Sequence, residues 1–120
     1  MQSAARIVES GMKTAFKSIN PGVRQCDAVA EIQKALFNGT KEFGGDYPSI
    51  ATLLPTGKGT SASHLTHTDE KFVSGEATII EIAGAYKRYH CPMARTVLLG
   101  KKDQKKILKL LQILKMKNQI

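Results

Sequence analysis

Tryptophan is absent from the sequence and only four phenylalanines and three tyrosines are present, too few rings for a basic-aromatic surface of the RNA-binding kind. Cysteine is equally scarce. Cys26 and Cys91 stand 65 positions apart with no CxxC pair, which excludes a disulfide scaffold and leaves a reduced, cytoplasmic protein as the expectation. No stretch approaches the roughly 20 uninterrupted apolar residues that cross a bilayer. The opening "MQSAARIVES" has no leader-like apolar segment, so neither a membrane nor an export route is expected.

What is present is ordinary for a small globular chain. With 120 residues, 42% of them apolar, one domain with a real but modest core is expected, and neither disorder nor a fibrous repeat is indicated. The net charge of +8 invites a nucleic-acid reading, but its distribution argues against one. Seven lysines and one aspartate fall between Lys101 and Ile120, so six of the eight excess charges belong to the last twenty residues. The first hundred carry 11 basic and 9 acidic side chains. Nucleic acid is therefore not an expected partner.

Periodicity predicts a helix over Ser3 to Ile19, with Ile7, Val8, Met12, Ala15, Phe16 and Ile19 at helical spacing before the stop Asn20-Pro21-Gly22. A second helix, capped by Asp27, places Val29, Ile32, Ala35 and Leu36 on one face and ends at Asn38-Gly39. Gly44 to Pro48 is turn chemistry, Ser49 to Leu54 a short β-compatible run, and "TGKGTSAS" a polar loop without Walker spacing. After a turn at Phe72 to Gly75, Ala77 to Ala83 reads as a buried strand and Tyr86 to Tyr89 and Ala94 to Leu99 as further strands. The last segment reads as a helix, with Asp103 as cap and Ile107, Leu110, Leu111 and Leu114 in one stripe. The order α-α-β-β-β-β-α predicts an α+β domain with a largely antiparallel sheet.

Two stretches carry a resemblance: "INPGVRQCDAVAEI" and "SASHLTHTDEKFVSGEATIIEIAGAYKRYHCPMARTVLLG". The chain resembles the creatinase, prolidase and methionine-aminopeptidase superfamily, whose catalytic domain is the pita-bread fold. Its metallopeptidases, aminopeptidase P among them, carry a His, an Asp seventeen residues on, a second Asp eleven further, and then Thr-Arg-Thr-Val. Here His64, Glu81 and Pro92 occupy those positions, followed by Ala94-Arg95-Thr96-Val97. Residues 1–100 are similar to the first half of that catalytic domain, and 101–120 are expected to form a Lys-rich amphipathic helical tail. Within the superfamily, "GTKEFGGDYPSI" and "EIAGAYKRYHCPMARTVLLG" are most similar to the ectoine-hydrolase type.

The departures bear on the chemistry that the resemblance implies. A dinuclear centre needs bridging carboxylates; Pro92 offers none, and Glu81 holds its own one methylene further from the strand. The expectation is a site with no metal and no cofactor, as in creatinase, opening a C–N bond in a cyclic amidine or guanidine compound, as in ectoine degradation. His64 is then the acid/base, Glu81 the partner of the amidinium, and Arg88 or Arg95 the partner of an anionic end, with Tyr89 and His90 lining the pocket. Each has a plainer reading. His64 follows a flexible loop, as surface histidines do; Glu81, between two isoleucines, points either into a cavity or to solvent. Tyr89 and His90 also fit a polar strand end, and Arg95 a structural ion pair. Cys91 has no activating His-plus-acid arrangement and is not expected to act as a nucleophile.

Superfamily members continue with a second half that brings a further His and two Glu to the pocket. This chain is expected to stop before it, natively or through a premature stop or frameshift. Two expectations of function follow. One is a truncated hydrolase whose activity requires self-association or a complementing polypeptide. The other is a non-catalytic remnant or association module.

Overall fold

The structure is a computed structural model and describes residues 2–100. Helix α1 runs Gln2–Ser18, and Ala4, Ile7, Val8, Gly11, Met12 and Ala15 form its buried stripe. Phe16, expected on that stripe, is half exposed at 50%; the buried arc is too narrow to include it. The chain leaves the helix at Asn20, whose side-chain amide donates to the Lys17 carbonyl at 2.7 Å, and turns through Gly22 at φ 88°.

Helix α2, Gln25–Asn38, buries Gln25, Ala28, Val29, Ile32 and Leu36. Asp27 is not its cap. The helix starts earlier because Arg24 is extended and bridges to Lys71, while Gln25 N–H donates to the Glu70 carbonyl at 2.9 Å. The Asp27 carboxylate instead accepts two bonds from the Arg24 guanidinium, at 3.0 and 2.8 Å. Gly39 ends the helix at φ 66°, its N–H on the Ala35 carbonyl.

Strands β1, Ala77–Tyr86, and β2, Tyr89–Leu98, form an antiparallel hairpin in which Glu81 faces Ala94 and Ala83 faces Pro92. The predicted strand over Tyr86 to Tyr89 is instead the hairpin turn. Lys87 and Arg88 sit at φ 49° and 71°, as a two-residue type I′ connection demands, so one long strand pair replaces three shorter runs. The β-compatible run Ser49 to Leu54 forms no regular strand. Its end lies along the other edge of β1, with Leu53 and Glu81 exchanging both backbone bonds at 3.0 Å and Ile79 N–H on the Pro55 carbonyl. β1 is therefore bonded on both sides, which is why it is the most buried strand.

Helix α1 lies on the face of β1 that presents Ile80, Ile82 and Gly84. A Cβ at Gly84 would meet the Ala4 carbonyl and stand 2.6 Å from Val8 N, so the bare glycine sets how closely helix and sheet approach. The α2 helix packs on α1, and Ile7, Val8, Met12, Ile32, Leu36, Leu54, Phe72, Ile80 and Ile82 fill the core. The result is α+β with an antiparallel sheet. The tail helix expected beyond Gly100 lies outside the described residues. Among those residues no helix is long and apolar enough to cross a membrane.

Candidate functional site

Strand alternation divides the hairpin into two faces. Thr78, Ile80, Ile82 and Gly84 turn toward the helices. Ile79, Glu81, Ala83 and Ala85 turn the other way, joined across the register by Thr96, Ala94, Pro92 and His90. Glu81 is half-buried on this second face because Leu53 and Pro55, held along the edge of β1, flank it.

The polar loop then returns to Glu81. Thr56 anchors it, its hydroxyl 3.0 Å from that of Thr78. A single 3-10 turn, Gly57–Ser61, follows; Thr60 and Ser61 hydroxyls donate to the Gly57 and Lys58 carbonyls at 2.7 and 2.9 Å. The loop straightens into His64, which is exposed and left-handed at φ 62°. His64 and Glu81 thereby line one cleft of ≈ 260 Å³, with Leu53, Pro55, Ile79, Ser61 and Ser63 as its walls. An imidazole and a carboxylate facing one small, partly apolar space can move a proton and hold a cation.

A second cleft, ≈ 710 Å³, lies at the hairpin tip between Asp46, Tyr47, Ser49, Ala85, Lys87, Arg88 and His90. His90 is fixed on both nitrogens. Ser49 N–H donates to Nε2 at 3.0 Å, so Nε2 carries the lone pair and the proton sits on Nδ1, which donates to the Arg88 carbonyl at 3.1 Å. The Ser49 hydroxyl is also 3.0 Å from Nε2. Ala85 lies four residues from Glu81 on the same face, about 13 Å away along a strand.

The expected site residues are thus distributed unequally. His64 and Glu81 share one cleft, and Arg88 and His90 share another. Tyr89 is 61% exposed and, opposite Tyr86, belongs to the helix-facing side. Arg95, opposite Ile80, belongs to that side too; it is exposed, and its guanidinium donates to the Ala94 carbonyl at 2.7 Å. Neither lines either cleft. Sequence reasoning passed over Asp46, Tyr47, Ser49 and Lys87, because "GGDYP" reads as turn chemistry alone and nothing local says which strand end the turn meets.

The residues present do not fit a dinuclear metal centre. The cleft offers one carboxylate and one imidazole, and Pro92, on the same sheet face, supplies no ligand. Among the described residues no group of three or more His, Cys, Asp or Glu side chains is gathered to hold a metal ion. The resolved electrostatic shifts lie elsewhere: hydrogen bonding to Arg24 holds the Asp27 carboxyl below its ordinary value of 3.8, and Asp27 in turn raises Arg24.

Comparison with known proteins places the chain in a family. Residues 1–117 match Metallopeptidase family M24. The ectoine hydrolase of Halomonas elongata is 46% identical over 106 residues, which cover 84% of this chain and 27% of that protein. The Xaa-Pro dipeptidase of Pyrococcus furiosus is 21% identical over 105 residues, 88% of this chain and 29% of that one. Among solved structures, the prolidase from Pyrococcus horikoshii OT3 superposes with a TM-score of 0.75 at 21% identity, covering 95% of this chain and 32% of its own. The P. furiosus prolidase gives 0.73 at 21% identity, over 82% and 28%. The chain spans about a quarter of the length of the relatives it matches, and the architecture is that of part of a pita-bread domain.

Proposed function

The chain belongs to metallopeptidase family M24, and on that premise we propose that it carries part of the active site of a C–N bond hydrolase of the ectoine-hydrolase or creatinase type, working without a metal ion on a cyclic amidine or guanidine compound. One observation supports the reading: His64 and Glu81, seventeen residues apart in sequence, line one cleft, and Pro92, whose side chain carries no ligand atom, lies on the same face of the hairpin as Glu81. The 46% identity to an ectoine hydrolase supports the substrate class.

In this mechanism Glu81 pairs with the amidinium and orients its carbon toward His64. His64 accepts a proton from water as the water oxygen bonds to that carbon, and returns it to the nitrogen as the C–N bond breaks. The second water proton passes from the hydroxyl of the tetrahedral intermediate through His64 to the same nitrogen as the carbonyl forms, so water supplies the carbonyl oxygen and both protons gained by the departing amine. In this proposal a complementing polypeptide or a second copy supplies the remaining surface of the cleft. A cytoplasmic setting is part of the proposal, consistent with the free thiols of Cys26 and Cys91. The reading as a non-catalytic remnant or association module is favoured by one fact only, that the chain covers 27% of its ectoine-hydrolase relative.

The test incubates the 120-residue chain with ectoine and with creatine, alone and with a polypeptide supplying the rest of the catalytic domain, and follows ring opening and urea release by NMR. Turnover that is lost in His64→Ala and survives chelation supports the proposal. Absence of turnover in every mixture favours the remnant, and a stoichiometric metal bound at the cleft overturns the metal-independent mechanism.

A further inference from the structure

We propose that the cleft at the hairpin tip is an anion-binding site in its own right, taking a small carboxylate or phosphate on Arg88 and Lys87, separate from the cleft of His64 and Glu81. This inference does not rest on the reaction proposed above.

The walls of the tip cleft are held in place. His90 is bonded on both ring nitrogens, Asp46 N–H donates to the Ala85 carbonyl at 2.8 Å, and Asp46 Oδ2 accepts the Lys87 backbone N–H at 2.6 Å. The carboxylate in the cleft is therefore engaged by the backbone beneath the cations. The cations themselves are free of acidic partners. Among the described residues the ion pairs are Glu9 with Lys13 and Arg24 with Asp27, and both Lys87 and Arg88 are exposed. Lys87 and Arg88 both line the cleft, with Lys87 Nζ 5.4 Å from the centroid of the Tyr86 ring.

The turn chemistry points the same way. A type I′ turn needs positive φ at both central residues and favours Asn-Gly. This chain places two long cations there, at φ 49° and 71°, against the backbone preference of either. Non-glycine residues held in that region persist where surrounding contacts impose it, and they cluster at ligand clamps. An arginine fork on such a rigid turn presents parallel donors to a carboxylate or phosphate. The separation excludes a shared small ligand: about 13 Å of strand divides Ala85 from Glu81, more than one small anion spans.

The experiment titrates succinate and inorganic phosphate separately into the 120-residue chain at fixed ionic strength, following the backbone amides of Lys87 to His90 by NMR. Saturable shifts with either probe are expected, the tighter probe identifying the anion. Arg88→Gln should weaken binding about tenfold or more. The double variant Lys87→Asn/Arg88→Gly should lose binding while its melting midpoint rises, since Asn-Gly relieves the turn. Glu81→Gln and His64→Ala should bind as the parent does. Absent saturation, binding retained in the Asn-Gly variant, or binding lost in Glu81→Gln would each overturn the proposal.

Discussion

Gly84 shows how much one missing side chain can decide. The strand could hold any small residue there, but α1 crosses so closely that a methyl group would stand 2.6 Å from Val8 N. Gly84→Ala should therefore cost about 1–3 kcal/mol of stability, read as a lowered urea midpoint at unchanged m-value. Asp27 makes a smaller and pH-dependent contribution. Its folded pKa is depressed by Arg24, so the stabilisation is present above the ordinary value of 3.8 and is lost as pH falls through the lower folded value. Both partners are exposed, and the effect is accordingly weak. The urea midpoints of the parent and Asp27→Asn should differ slightly at pH 7 and converge as pH falls below the depressed folded value. Residue-scale readings of Ile7, Val8, Ile80 and Ile82 as core followed from spacing alone, and all four are fully buried or nearly so. Phe16 and Asp27 were misread because periodicity and capping preference carry no knowledge of a neighbour: a helix rim in one case, the Arg24 guanidinium in the other.

At the scale of elements, the helices were more legible than the strands. Both helices bury a continuous apolar stripe, a local property, whereas the hairpin depends on a turn made of Lys87 and Arg88, residues that carry no turn signal. Three predicted runs became one strand pair for that reason. The Ser49 to Leu54 run paired only at its end, because bends at Ser49 and Ile50 carry it to the tip first, where Ser49 meets His90. The loop before β1 is tied to α2 by the buried Gln25, whose Oε1 accepts the Thr68 N–H at 3.0 Å. Gln25→Ala should cost about 1 kcal/mol and accelerate hydrogen exchange at the Thr68 amide selectively, with exchange in β1 unchanged at its centre. Uniform acceleration across the domain would contradict that local tie.

For the whole molecule, the edge of the sheet matters most. Among the described residues β2 pairs only with β1, and Pro92, Ala94 and Thr96 are exposed on the face beside Glu81. A small, uncharged strand face at the margin of the sheet favours contact with another chain. Sedimentation velocity should show the mean mass of the chain rising with concentration, and Thr96→Lys should suppress the rise without lowering the melting midpoint. A concentration-independent monomer would remove self-association as a route to a closed site. Exposure of Lys87 and Arg88 predicts a separate effect: raising the salt should weaken anion binding at the tip gradually, as it weakens a surface charge pair.

The sequence by itself determined the lineage, the two-helix start and most of the core, because spacing, periodicity and residue type are properties of the linear chain. Only the tertiary structure decided which of the candidate side chains meet. His64 comes to share a cleft with Glu81 through a loop return anchored at Thr56 and Thr78, Arg88 and His90 are carried to a second cleft about 13 Å away along β1, and Tyr89 and Arg95 are turned from both by strand alternation. Those outcomes depend on register and turn type, which one residue's shift would invert and which no local pattern in this chain encodes.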